Sequence, residues 1–350
     1  MRLGLSLGYW GSGADPAGHL EATREAERLG YSVVWAAEAY GSDSVTMLTW
    51  LAAQTERIDV GSAVMQIPAR AATMTAMTAA SLDTLSGGRF RLGLGVSGPQ
   101  VSEGWYGVPF AKPLGRTREY VDVIRKTLGH EKVAYDGAHI TLPLPDGPGK
   151  PLQLAMRPFR DDIPIYLAVI GPKNLALAGE IADGWLGVFY APEFASEQLA
   201  CVREGAEKAG RDMSTFDVVP TVPVVVGDDL ERCADAVRAY SALYIGGMGS
   251  RKQNFYNQLA TRMGYGDAAE RIQELYLQRK PREAAAEVPF EFIDQTALLG
   301  TPERIADRIG AFAESGVTTL AVTAFAADAE SRARTLRVVA EAAERAGVAE

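Results

Sequence analysis

The feature that most limits how this chain can fold is a repeat: short apolar runs alternate with longer amphipathic stretches from one end to the other. "RLGLSLG" (2–8), "YSVVWAAE" (31–38), "IDVGSAVM" (58–65) and "FRLGLGV" (90–96) are each followed by a stretch of helical periodicity. The first of these stretches stops at Gly30 and the third at the Gly87–Gly88 pair, as helices stop. The rhythm resumes with "IPIYLAVI" (163–170), "DGWLGVF" (183–189), "FDVVPTVPVVV" (216–226) and "TTLAVTAF" (318–325). Near-continuous apolar runs fit parallel strands buried on both faces. Eight of them predict a closed (β/α)8 TIM barrel rather than an open doubly wound sheet. The glycines of "GYWGSG" after the first run do not form a dinucleotide fingerprint, because Trp10 interrupts them and the acidic partner is missing.

A barrel of this kind accommodates all 350 residues as one domain, 1–350. Two segments break the rhythm. Residues 131–163, rich in Pro, Gly and Asp, predict an extended hairpin or loop excursion. Residues 244–300 predict a glycine-rich hinge followed by short helices, a lid-like insertion. Both are expected at the C-terminal face of the barrel, where such folds place their chemistry.

The net charge of -9 argues against a general nucleic-acid or anionic-membrane binder. Cys201 and Cys233 sit in helical stretches, and His19, His130 and His139 are scattered, so neither a disulfide framework nor a metal site is expected. The N-terminus lacks the apolar core of a signal peptide, and no run of about 18 apolar residues occurs. A reduced, cytoplasmic protein is the expectation.

The residues just past each run define the candidate site. They are Tyr9 and Trp10; Glu38, Tyr40 and Asp43; Ser62 to Gln66; Ser97 to Glu103; Gly171 to Asn174; and Phe189 with Tyr190. This inventory is aromatic, amide and small. It offers no metal cluster and no Ser/His/Asp set, which disfavours metal hydrolysis and acyl transfer. It suits a flat organic cofactor with polar edges. Gly171 and Pro172 open a helix with Lys173 in its first turn, a place for a phosphate or simply a proline-initiated helix with a solvated lysine. "SGPQ" (97–100) carries the same two readings: amides for a phosphate, or a turn.

Taken together, "GSAVMQIPAR" (61–70), "LSGGRFRLGLGVSGPQVSEGWYG" (85–107), "GPKNLALAGEIADGW" (171–185) and "YIGGMGSRKQNFYN" (244–257) resemble the luciferase-like monooxygenase superfamily. The likeness is to its actinobacterial branch of coenzyme F420-dependent oxidoreductases and runs over nearly the whole chain. It implies a (β/α)8 barrel binding a deazaflavin or flavin at the strand C-termini. By position it implies that Ala63 and Val64, joined by a cis peptide, form a bulge under the cofactor ring. Ser97, Gly98 and Ser102 line its side chain; Gly171, Pro172, Lys173 and Asn174 form its phosphate loop; and Glu38 is an acidic group near the ring. Trp105 and Tyr106 either wall the cavity or pack under the next helix. Arg251 and Lys252 either attract the cofactor's acidic tail or are solvated.

The departures from the family matter. Where its sugar-phosphate and secondary-alcohol dehydrogenases carry Asp-His, this chain has Glu38-Ala39, and Pro99 replaces a glutamate of the sugar-phosphate branch. Alcohol oxidation needs a positioned base. The inferred activity is therefore hydride transfer from reduced F420 to an unsaturated C=C, C=N or C=O small molecule. Tyr9, Glu38, Tyr40, Gln66 and Glu103 are the candidates for supplying the proton. The alternatives are an FMN-dependent monooxygenase and a non-catalytic cofactor-binding barrel. The resemblance also implies a homodimer, for which the helix carrying Met74, Met77 and Leu82 is the candidate surface.

Overall fold

The computed structural model describes residues 1–10, 13–251, 253–326 and 328–349. All eight apolar runs become strands: β1 (Arg2–Gly8), β2 (Val33–Ala36), β3 (Asp59–Ser62), β4 (Phe90–Gly95), β5 (Ile165–Ala168), β6 (Gly184–Val188), β7 (Asp217–Val226) and β8 (Thr319–Ala324). They pair in parallel in this order, and β8 pairs with both β7 and β1, which closes the barrel.

The barrel interior is plugged by one large side chain. Trp35 of β2 is 1% exposed and packs with Val33, Tyr166, Leu186, Val219 and Ala321. An indole in so narrow a space excludes a side chain on the neighbouring strand. A Cβ on Gly61 of β3 would lie 2.4 Å from the ring, which is why β3 reads "DVGS". Ala63 and Val64 pack against this plug.

The N-terminal ends of the strands are tied by charge. Asp217, the first residue of β7, accepts hydrogen bonds from Thr319 (2.8 Å) and Tyr166 (3.0 Å) and pairs with Arg2 (3.0 Å) and Arg91 (3.3 Å). Arg91 also pairs with Asp59 at 2.7 Å. Six strands are thereby joined at the end of the barrel that serves stability rather than chemistry.

The two excursions differ from expectation. Residues 131–163 leave from the end of helix Pro113–Leu128, which lies on the N-terminal side, not the C-terminal face. They do contain a hairpin, Tyr135–Asp136 with Thr141–Leu142. The hairpin climbs the outside of the barrel because Glu119 accepts from the amides of Ala138, His139 and Ile140. The chain then returns to the base, where Arg160 binds Asp83 and the Phe90 carbonyl.

The second insertion does lie at the C-terminal face. It starts earlier than residue 244, because helix Leu230–Ala242 shares its core with Ile272, Leu275, Val288 and Phe292. The expected glycine hinge is instead a turn of π-helix, Leu243–Gly247, continuing that helix without a break. Helix Pro302–Glu314 then leads back to β8. Among the described residues no helix is long and apolar enough to cross a membrane.

Candidate active site

The site is built around an interruption of β3. After Ser62 the strand stops pairing; it resumes at Met65 and Gln66 opposite Leu94 and Gly95 of β4. Ala63 and Val64 fill the gap and are joined by a cis peptide bond, as the resemblance implied. The Ser62 side chain repairs the lost ladder. Its hydroxyl donates to the Gly93 carbonyl (2.8 Å) and accepts from the Gly93 amide (2.9 Å). Both glycines of "LGLG" are needed here. A Cβ on Gly93 would lie 1.9 Å from the Ser62 carbonyl oxygen, and one on Gly95 would lie 2.6 Å from Val64.

Glu38, just past β2, braces this bulge. Oε1 accepts from the Gln66 amide (2.9 Å) and from Arg70; Oε2 accepts from the Ser44 hydroxyl (2.9 Å), the Ser44 amide (3.3 Å) and Arg70 (2.9 Å). Both the carboxylate and most of the Arg70 guanidinium are buried, so the pair is bidentate and largely dry. Arg70 was missed in the sequence although it closes the "GSAVMQIPAR" motif; it also binds Asp43 at 2.8 Å. Gln66 donates from Nε2 to the Glu38 carbonyl, and its buried Oε1 has no partner among the described residues.

After β4 the chain turns through Ser97, whose φ is +64°, and Gly98 into a short helix, Pro99–Gly104. Ser102 faces inward, but its hydroxyl donates to the Val108 carbonyl at 2.7 Å. Glu103 is exposed and accepts from the Phe110 amide, and Trp105 is exposed as well. The Tyr106 hydroxyl donates to the Ala39 carbonyl at 3.1 Å, which ties this loop to the end of β2. A cleft of about 570 Å³ lies beside the loop, between residues 67–73 and the hairpin; of the predicted site residues only Ser102 lines it.

After β5, Gly171 is the N-cap and Pro172 the first residue of helix Pro172–Ile181. The amides of Asn174 and Leu175 already bond to the Gly171 carbonyl, leaving the Lys173 amide unengaged among the described residues, with the lysine side chain exposed. Arg251 is exposed on the insertion; Lys252 lies outside the described residues.

A cluster of tyrosines between the strand ends and the insertion was not foreseen, apart from Tyr9 and Tyr40. Tyr240 and Tyr244 have ring centroids 4.8 Å apart, as do Tyr244 and Tyr256. Phe189, held at φ +51° where β6 ends, packs edge-on against Tyr244 and Tyr256. Tyr9 and Tyr40 stand 6.5 Å apart on the barrel side. Burial pushes the hydroxyls of Tyr9, Tyr240 and Tyr256 upward and that of Tyr244 to about 12. Asn254 holds the arrangement. Its amide donates to the carbonyls of Tyr244 (3.1 Å) and Ile245 (2.8 Å), and its oxygen caps helix Phe255–Ala260 through the amides of Tyr256 and Asn257. The signal in the sequence was the Tyr240/Tyr244 spacing beside "IGGMG": Gly247 has no side chain because a Cβ there would lie 2.6 Å from the Tyr276 ring.

Comparison with known proteins places the chain in a family and shows the same fold. Residues 4–319 match the family model described as luciferase-like monooxygenase. The chain is 42% identical over 335 residues, 94% of its length and 96% of the other's, to a Mycobacterium tuberculosis protein that carries the name of a coenzyme F420-dependent oxidoreductase. It is 29% identical over 299 residues to the 5,10-methylenetetrahydromethanopterin reductase of Archaeoglobus fulgidus, covering 84% of this chain and 85% of that one. Among solved structures, the coenzyme F420-dependent tetrahydromethanopterin reductase of Methanopyrus kandleri superposes with a TM-score of 0.81 at 24% identity, over 97% of both chains.

Proposed function

The chain belongs to the luciferase-like monooxygenase family, and from that premise we propose that it is a coenzyme F420-dependent oxidoreductase that reduces an unsaturated small organic compound. The observation that carries this reading is near-full-length identity of 42% to a relative named for that cofactor. The residues present fit such a group. Gly93 and Gly95 let Ser62 and Val64 pack directly against β4, which fixes the Ala63–Val64 bulge as a firm support for a ring. Gln66 Oε1 is a buried acceptor without a donor, which suits an N–H at a ring edge. The start of helix Pro172–Ile181, with Lys173 beside it, suits a phosphate. Ser97 and Gly98 lie between these two places in the order of the strands, where a polar chain would run.

When bound in its reduced form, a deazaflavin supplies a hydride. The protein's own residues have to place the acceptor, exclude water and provide a proton. We assign Glu38 to bracing the bulge, because five donors saturate its two oxygens. Glu103 faces solvent and is occupied by the Phe110 amide. Of the candidate proton donors, the phenols of Tyr9 and Tyr40 have hydroxyls without a hydrogen-bond partner among the described residues. The same reading includes a homodimer. Met74, Met77 and Leu85 are 50, 48 and 66% exposed along helix Ala72–Ser86, whereas Leu82 faces the barrel.

The test is equilibrium binding of oxidised coenzyme F420 and of FMN to the purified protein, read by fluorescence quenching. The expected result is micromolar or tighter binding of F420, with FMN weaker by about tenfold or more. Preference for FMN would move the assignment to a monooxygenase. Binding of neither would remove the cofactor role from Ser97, Gly98 and Lys173.

A further inference from the structure

We propose that the tyrosines gathered between the barrel mouth and the insertion form the acceptor site, and that they select a planar, uncharged compound bearing a carbonyl oxygen. The proposal rests on the reductase reading for its reaction but on separate residues for its chemistry.

Tyr9, Tyr40, Tyr240, Tyr244 and Tyr256 come from separate parts of the chain: the ends of β1 and β2, the last turns of helix Leu230–Ala242 with its π-turn, and helix Phe255–Ala260. Their hydroxyls are unlike those of the tyrosines buried elsewhere in this protein. Tyr31, Tyr120, Tyr166 and Tyr190 are buried, and each donates to a fixed partner: the carbonyls of Leu336, Arg70 and Ser315, or the Asp217 carboxylate. In the cluster, Tyr240 donates to Tyr244, and the hydroxyls of Tyr9, Tyr40 and Tyr256 bond to nothing among the described residues. Phenols drawn into an apolar setting normally find a partner. Here the hydroxyls are not sealed from solvent, so a ligand oxygen can be that partner in place of water. The rings of Tyr9, Tyr240, Tyr244 and Tyr256 are also half-buried rather than sealed, so a small molecule can reach them.

The charge of the occupant follows from the neighbours. Among the described residues, the groups acting electrostatically on Tyr9, Tyr240, Tyr244 and Tyr256 are other tyrosines. Tyr106, by contrast, feels Glu38, Asp43 and Arg70. An anion in the cluster would lose its hydration without gaining a counter-charge. A cation would need ring faces turned toward it, whereas Tyr244 and Tyr256 meet edge to face at 89° and so cover one another. A neutral carbonyl oxygen accepts from one or two such hydroxyls, and its flat framework stacks or slides between the rings. Asn254 and the π-turn fix two of these tyrosines relative to each other, so the recognition element is preorganised.

The experiment is isothermal titration of the full chain with three probes: coumarin (a planar neutral lactone), coumarin-3-carboxylate (the same ring as an anion) and trimethylphenylammonium (an aromatic cation). It is repeated on Tyr244→Phe and Tyr256→Phe, which keep the rings and remove one hydroxyl each. Coumarin is expected to bind, and each variant to weaken it about three- to tenfold, as loss of one neutral hydrogen bond does. The two charged probes are expected to bind at least about tenfold more weakly than coumarin. Coumarin binding that is absent, or indifferent to both variants, overturns the proposal, as does a charged probe binding equally well. F420 binding, measured on the same preparations, separates this result from the reductase reading. Tyrosine-dependent coumarin binding without F420 binding would sink the cofactor and keep the site; F420 binding with tyrosine-independent coumarin would do the reverse.

Discussion

Glu38 shows how a residue read as an acid can have other work. Its carboxylate collects donors from Ser44, Gln66 and Arg70, and so fixes the strand segment that follows the bulge to the end of β2. Glutamine cannot match those donors, because its own NH2 would face the Arg70 guanidinium. Glu38→Gln is expected to lower the free energy of unfolding by about 2–3 kcal/mol, the lower side of breaking a buried ion pair because Arg70 keeps Asp43. Urea denaturation measures this directly. A Gln variant as stable as the parent, with turnover altered instead, would return Glu38 to the role of proton donor. At this scale the bulge was legible only through the family resemblance; that "GSAV" and "LGLG" are steric partners came from the folded structure. Arg70 and Asn254 stayed hidden, because nothing local to either residue says which carboxylate or carbonyls it will meet.

The elements pair through side chains that the pattern of apolar residues does not announce. Helix Pro16–Arg28 is joined to the C-terminal helix Ala329–Arg345 by Glu25, which binds Arg337 at 2.6 Å and Arg28 at 2.8 Å. The hydrogen bond from Arg28, with help from Arg337, lowers the Glu25 carboxyl from its ordinary 4.5 to about 2. The folded state therefore prefers the ionised form. Its contribution is complete above about pH 4.5 and is lost as pH falls through about 2. Both arginines are about half exposed, so the contribution is only about 1 kcal/mol. The difference in unfolding free energy between the parent and Glu25→Gln is expected to be constant near neutrality and to shrink between pH 4.5 and 2. A difference that stays flat over that range would mean the ion pairs add nothing. Element boundaries failed in one instructive place. The glycines at 246, 247 and 249 read as a hinge, but Gly246 and Gly247 pack against Tyr276 within a continuous helical turn, and Gly249 packs against Asn254 just past its end.

For the whole molecule, the remaining apolar surface matters most. Met74, Met77 and Leu85 project from helix Ala72–Ser86, and Leu144, Leu152 and Phe159 of the first excursion are exposed as well. A monomer would leave this surface in water. Sedimentation velocity is expected to give twice the chain mass, and Met77→Glu, which puts a charge on the outer face of the helix, to shift it toward one copy without unfolding the barrel. A parent that sediments as a single chain would remove the homodimer.

The sequence by itself determined the barrel, the number and order of its strands and the helix start at Gly171–Pro172, while the bulge at Ala63–Val64 was legible only through the family resemblance. All but the bulge are written in contiguous residues, through periodicity or through the Gly-Pro step. Only the tertiary structure decided that Glu38 is a brace, that the first excursion climbs from the base of the barrel, and that five distant tyrosines meet at its mouth. Those outcomes depend on contacts between residues far apart in the chain. Such contacts are set by how the closed barrel and its insertion pack, and no local pattern carries that information.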